Sequence, residues 1–254
     1  MSSLPKPKLS DQKQSGRSLF IADLHLTEER PLATGRFFHF LEHIAKGADA
    51  LYILGDLFEY WVGDDDLNNA VARDTAQKLK ALANSGTPVY FMHGNRDFLV
   101  AQRYAAQCGM TLVADPVSVD LYGTPALLTH GDTLCTDDTR YQQYRKWVRN
   151  PLVQKMLLWL PLTVRHALAG SARAGSVRAK AGKSHDIMDV NQNAVTQAFD
   201  EHGVTRMIHG HTHRPAQHEL TLSGKKLERW VLPDWYGEGG YLVCTGEGCT
   251  LGAV

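Results

Sequence analysis

Short apolar runs recur along this chain, and each ends on a glycine or a polar residue. They are Ser18–Asp23 (SLFIAD), Ala50–Asp56 (ALYILGD), Pro88–Gly94 (PVYFMHG), Ala126–His130 (ALLTH) and Arg206–Gly210 (RMIHG). Near-continuous apolar character over so few residues predicts strands buried on both faces. Between the runs, Thr34–Lys46 and Asn68–Asn84 carry apolar positions at helical spacing, and Phe98–Gln107 reads as a shorter helix. This alternation predicts an α/β architecture. Glu228–Leu232 and Tyr241–Cys244 read as further strands, expected to be antiparallel because Gly/Pro-rich connections flank them.

Five polar blocks fall where the apolar runs break: Asp23-Leu24-His25, Gly55-Asp56, Gly94-Asn95-Arg96-Asp97, His130-Gly131-Asp132 and Gly210-His211-Thr212-His213. In open α/β sheets, ligands collect outside the carboxyl ends of the strands. Carboxylates, imidazoles and one amide, with no thiolate, form the donor set of a pair of divalent ions such as Mn²⁺, Fe²⁺ or Zn²⁺. In an extended segment, residues two apart share a face, so Asp23 and His25 are expected to reach one ion. His211 and His213 would do the same if that segment is extended. His209 has the same parity as His211, so spacing alone leaves open which two of three histidines bind. Asp56 follows a glycine, which lets backbone approach closely, and its two oxygens can bridge two ions. A lone Asp or His is more often a cap or a core residue, and His39, His43, His166, His202 and His218 are read that way.

The spacing separates an insertion from the repeating units. Asp23 to Asp56 is 33 residues, Asp56 to Asn95 is 39 and Asn95 to His130 is 35, each about one β-α unit. His130 to His211 is 81, roughly one unit too many. The surplus coincides with Arg140 to Lys183, which is rich in Lys and Arg, lacks Asp and Glu, and contains Trp147 and the run Met156–Leu162 (MLLWLPL). Such a segment could bind single-stranded nucleic acid, a membrane surface or a lipid with an anionic headgroup, or form a helical hairpin that buries the aliphatic run against its own body. That run favours lipid over nucleic acid, whose stacking sites are rarely so aliphatic.

Composition constrains the picture further. With 254 residues and 43% hydrophobic content, the chain can bury a sizeable core as one domain. Its formal net charge is zero, which gives no global basicity to attract nucleic acid. Cys108, Cys135, Cys244 and Cys249 form no CxxC and are expected to be buried thiols of a reduced compartment. Residues 1–16 are Ser/Lys/Gln/Pro-rich and are expected to be a disordered tail rather than a secretory signal. No run of about 18 apolar residues is present to span a bilayer.

The five blocks together resemble those of the calcineurin-like metallophosphoesterases over most of residues 18–245. That resemblance implies a sandwich of two mixed sheets flanked by helices within a domain over 17–254, with a helical lipid-binding cap inserted at 136–185. It assigns one ion to Asp23, His25, Asp56 and His213, and the other to Asp56, Asn95, His130 and His211. His93 and His209 become candidates for supporting roles only. Many members of the superfamily have histidine where this chain has Arg96. A guanidinium cannot donate a proton, but it can hold phosphate oxygens and stabilise charge building on them. A reaction without a general acid calls for a good leaving group, which favours a phosphoanhydride over an alkyl diester.

Within the superfamily, Gly94–Phe98 (GNRDF), Gly55–Asp65 (GDLFEYWVGDD) and Ile208–Pro215 (IHGHTHRP) are most similar to the pyrophosphatases of lipid A biosynthesis. The resemblance implies cleavage of UDP-2,3-diacylglucosamine to UMP and 2,3-diacylglucosamine 1-phosphate by water attack on the α-phosphorus. It implies two Mn²⁺ per chain, Asp56, Asn95 and Arg96 at the reacting centre, and peripheral residence on the cytoplasmic face of the inner membrane. The substrate contacts it implies are Asn95, Arg96, Asp138, Ser176, Lys180, Lys183 and His211, with Tyr141 and Arg173 beside them. The partners expected are this lipid-linked nucleotide and the membrane surface, without nucleic acid, for a monomeric chain.

Overall fold

The computed structural model describes residues 16–66, 68–181, 189–222 and 224–254, and of residues 177–181 the backbone only. The tail expected over 1–16 therefore lies outside the described residues, apart from Gly16. Two mixed sheets face each other. In the first, β1 (Arg17–Ile21), β2 (Ala50–Leu54), β3 (Val89–Met92) and β4 (Met110–Val113) run parallel. The hairpin β10 (Gly240–Thr245) and β11 (Gly248–Ala253) extends that sheet antiparallel to β1. In the second, β6 (Thr124–Thr129), β7 (Arg206–His209) and β9 (Lys225–Val231) are parallel. β5 (Val117–Leu121) and β8 (Ala216–Leu222) edge that sheet as antiparallel strands.

Strand alternation builds three layers of core. Phe20, Leu54 and Met92 point between the sheets and meet Leu128, Ile208 and Trp230. Leu19, Ile21, Leu51 and Ile53 point the other way, onto helices α1 (Pro31–His39), α2 (Ala70–Asn84) and α3 (Gln102–Cys108). Across the molecule, Leu127 and Met207 pack beneath Val195 and Phe199 of a helix at Gln192–His202. Each central strand is thus apolar on both faces, which is why its sequence runs without alternation. The five expected apolar runs form strands and the three expected helices form; Thr34–Lys46 is α-helical only to His39 and then π-helical over Phe40–Ile44. β4, β5, β8 and β11 are additional strands, shorter or more polar than the rest, and they carry the edges.

Two sequence expectations are corrected. β9 is antiparallel to β8 but parallel to β7, because it is reached from the edge strand and not directly from its neighbour. Cys244 and Cys249 are not thiols: they face each other across the β10–β11 register and form a disulfide, while Cys108 and Cys135 are buried thiols.

After β6 come α4 (Thr139–Val148), α5 (Pro151–Trp159) and α6 (Leu162–Ala181), and then α7, the helix at Gln192–His202, which leads into β7. Asp138 caps α4 by accepting from the Tyr141 N–H, and Asn150 caps α5 by accepting from the Leu152 N–H. Much of this segment's basic charge turns back onto the acidic sandwich. Arg145 pairs with Asp132 (2.7 Å) and Asp115 (3.2 Å), and Arg165 pairs with Asp65. Arg149 donates to the carbonyls of His93 and Gly94. The opposite surface is apolar: Leu152, Met156 and Trp159 are 72%, 69% and 82% exposed. Among the described residues, no helix is long and apolar enough to cross a membrane.

Candidate metal centre and the adjoining cavity

The five polar blocks meet at one end of the sandwich, on the loops that leave β1, β2, β3, β6 and β7. These loops continue the pairing of the strands they follow. Asp23 N–H donates to the Gly55 carbonyl at 3.1 Å, His25 N–H to the Asp56 carbonyl at 2.9 Å, and Gly210 N–H to the His130 carbonyl at 3.0 Å. The backbone is nonetheless far from extended. Asp23, His25, Asp56, His211 and His213 have φ of 56°, 50°, 54°, 70° and 55°. This corrects the face-sharing explanation for Asp23/His25 and His211/His213: left-handed turns, not strand alternation, bring each pair round. Such conformations cost on the order of 1–3 kcal/mol each and persist where surrounding contacts enforce them. Tyr122 is the remaining non-glycine residue in that region among the described residues.

The side chains converge in two groups around Asp56. On one side, His25 Nε2 lies 3.7 Å from Asp56 Oδ2, and His213 Nε2 lies 3.5 Å from Asp23 Oδ1. On the other, His130 Nε2 is 3.9 Å from Asp56 Oδ1 and 3.2 Å from Asn95 Oδ1, and His211 Nδ1 is 3.0 Å from that same oxygen. The seven candidate ligands are therefore together. His130 Nδ1–H donates to the Leu54 carbonyl at 2.8 Å, which turns Nε2 inward. Glycine is required at two close approaches. A Cβ on Gly55 would lie 2.6 Å from both Gly94 Cα and His130 Nδ1, and one on Gly94 would strike Asp56.

The electrostatics suit cations. Burial, reinforced by the nearby Asp97 and Asp23 charges and opposed by His130, pushes Asp56 up to about 7. Burial works against a charged His130, yet Asp56, Asp132, Asp23 and Asp115 raise it to about 9. Burial also opposes ionisation of Asp23, but His213, His130 and His25 hold it below the usual carboxylate range. Asp23 Oδ1 is buried and accepts no hydrogen bond from the described residues. Oxygens and imidazole nitrogens facing one another in a low-dielectric pocket need positive charge between them, so the set fits divalent ions. Three-residue groups able to hold an ion are Asp23, His25 and His213, and Asp23, Asp56 and His130.

His93 and His209 turn away. His93 Nε2 bonds the Val100 carbonyl, and His209 is fully buried between Gly210 O and the Arg229 guanidinium. Burial and Arg229 lower His209 to about 4, which keeps it neutral. Asp97 is also buried, and its oxygens accept from Gly94 N–H and Leu57 N–H. The Arg96 guanidinium reaches Ser176 Oγ of α6 at 3.5 Å, and the Arg96 backbone N–H donates to Asp56. Sequence reasoning missed Glu59, which stands 3.4 Å from His25, and Asp234, 3.5 Å from His213. It also missed Tyr236, whose ring lies against both histidines. Glu59 lies inside the Gly55–Asp65 run; for Asp234 and Tyr236 no local signal exists.

From this centre a cavity of about 1060 Å³ opens beneath the three inserted helices. Asp56, Asn95, Arg96 and His211 line its floor, with Asp138, Tyr141, Arg173 and Ser176 at the sides. Its walls are Trp147, Val148, Leu157 and Leu168. Lys183 lies outside the described residues, as does the side chain of Lys180.

The calcineurin-like phosphoesterase profile matches residues 16–215. This chain belongs to that family. Two relatives named UDP-2,3-diacylglucosamine hydrolase, from Enterobacter sp. (strain 638) and Klebsiella pneumoniae subsp. pneumoniae, are 52% and 51% identical to it over 234 residues. Each alignment covers 92% of this chain and 97% of the relative. Among solved structures, a novel archaeal phosphodiesterase aligns over 94% of this chain at 11% identity with a TM-score of 0.46, too distant to bear on the chemistry. The fold expected of the phosphoesterase family, two mixed sheets flanked by helices, is the fold observed.

Proposed function

We propose that this chain hydrolyses the pyrophosphate bond of UDP-2,3-diacylglucosamine, releasing UMP and 2,3-diacylglucosamine 1-phosphate. The observation that carries the reading is one cavity that joins a carboxylate–imidazole cluster at its floor to an apolar wall of Trp147, Val148, Leu157 and Leu168. A nucleotide diphosphate with acyl chains has that same division. The named substrate of the two relatives supports it.

Asp23, His25, Asp56 and His213 would hold one Mn²⁺, and Asp56, Asn95, His130 and His211 the other. Two such ions supply Lewis acidity to the phosphoryl oxygens and acidify the attacking water. Water adds to the α-phosphorus, the bond from it to the bridging oxygen breaks, and the sugar 1-phosphate departs with that oxygen. Arg96 neutralises charge developing on the phosphoryl groups; it lines the cavity and contacts Ser176. Asp138, Ser176, Lys180, Lys183 and His211 would complete the headgroup site. The exposed apolar side of α5 meets the inner-membrane surface, from which the lipid enters the cap over 136–185.

The test is purified protein with Mn²⁺ and UDP-2,3-diacylglucosamine in mixed micelles, with UMP release followed beside hydrolysis of bis(p-nitrophenyl) phosphate. Mn²⁺-dependent UMP formation with little diester turnover is expected. Fast diester turnover without UMP would overturn the substrate and leave a diesterase.

A further inference from the structure

Glu59 lies on the loop after β2 and is 4% exposed. Its two oxygens face different parts of the molecule. Oε2 is 3.4 Å from His25 Nδ1, and Oε1 is 3.0 Å from Arg173 Nε on α6. Arg173 also reaches Glu29 at 3.3 Å and lines the cavity. We propose that Glu59 is a positioning residue shared by the metal centre and the inserted helices: it orients His25 for its ion and, through Arg173, couples that orientation to the seating of α6. This rests on the dinuclear reading above.

A buried carboxylate needs a countercharge, and the half-exposed Arg173 provides one from a different structural unit. A carboxylate beside a ligating imidazole fixes the ring and makes it a better donor, typically worth 10–100-fold in metal affinity. His25 also lies beside Tyr236, whose ring is 5.2 Å away and carries the Arg30 guanidinium over its face. Glu59 is thus a connection that runs from α6 to a ligand. Coupling of this kind is reciprocal: whatever draws Arg173 into the cavity alters the hold on His25, and metal binding alters the seating of α6.

The chemistry separates the two roles. Glu59→Gln keeps an oxygen for His25 but removes the charge that Arg173 requires; Glu59→Ala removes both; Arg173→Met leaves Glu59 beside His25 and breaks its contact with α6, together with the Arg173–Glu29 pair. The experiment is an Mn²⁺ titration of the full chain, read by the EPR signal of free Mn²⁺, with kcat and KM measured on the lipid substrate in micelles. Glu59→Ala is expected to weaken Mn²⁺ binding by about 10–100-fold and to lower kcat. Glu59→Gln, which keeps an oxygen but not the charge, is expected to lose less Mn²⁺ affinity than Glu59→Ala, while its KM rises as in Arg173→Met. The double variant Glu59→Gln/Arg173→Met should show no further rise in KM, because both changes break one contact. Wild-type Mn²⁺ affinity in Glu59→Ala, or fully additive KM effects in the double variant, would overturn the proposal. Should Glu59→Ala fail to fold by circular dichroism, the additivity test decides alone. A wild-type chain that binds no Mn²⁺ would instead overturn the dinuclear reading.

Discussion

Asp56 occupies left-handed backbone with its two oxygens turned to different imidazoles, so its removal affects both halves of the candidate centre at once. Asp56→Ala is expected to abolish turnover and Mn²⁺ binding together. Asp56→Asn serves as the control, since asparagine tolerates positive φ and keeps an oxygen for Arg96 N–H. Most of wild-type turnover with unchanged metal content in the alanine variant would contradict the shared-ligand assignment. For Arg96, whose N–H holds Asp56 and whose guanidinium meets Ser176, replacement by alanine should lower kcat by about 10²-fold. A change of less than about threefold would reduce it to a structural residue. Both residues were legible in the chain because glycine-flanked polar blocks at strand ends mark them. Glu59 was not singled out, because a lone glutamate in a loop shows its significance only once His25 and Arg173 lie beside it.

At the scale of elements, the inserted helices have two chemically distinct faces. Their arginines reach inward to Asp65, Asp115, Asp132 and Glu59, while Leu152, Met156 and Trp159 of α5 face outward. Fully burying each such side chain contributes about 1.5–3 kcal/mol, so partial insertion of two of them into lipid is a substantial term. The double substitution Leu152→Glu/Trp159→Glu should reduce co-sedimentation with anionic phospholipid vesicles by about tenfold or more, with an unchanged far-UV circular dichroism spectrum. Undiminished vesicle binding would remove α5 as the contact. The basic and greasy character of this segment was legible from its composition. Which residues of it point in and which point out was not, because Met156 and Leu157 are adjacent in the chain yet Leu157 lines the cavity while Met156 is exposed.

At the scale of the whole molecule, loops from both sheets build the centre, so metal binding should stabilise the sandwich as a unit. Mn²⁺ at a hundred times its Kd is worth about 2.7 kcal/mol by mass action. For a chain of this size, that corresponds to a rise in Tm of about 5–10 °C. Differential scanning fluorimetry with Mn²⁺ and with EDTA should show that shift in the wild type and not in Asp56→Ala. An equal shift in both would mean that the ion binds elsewhere.

The amino-acid sequence determined the central strands, the two main helices and the identity of the residues at the strand ends. Those features are local: continuous apolar character, helical spacing and glycine beside a polar side chain are written in neighbouring residues. The tertiary structure decided everything that depends on residues far apart in the chain. The loops carrying Asp23, His25, His211 and His213 are left-handed because cross-loop hydrogen bonds and packing outweigh the extended preference of the segment. Cys244 meets Cys249 because the β10–β11 register sets them opposite each other, a pairing that no CxxC spacing announced. Glu59, Asp234 and Tyr236 join the centre because the sheets bring their loops to one end, where burial and charge give ordinary residue types a specific task.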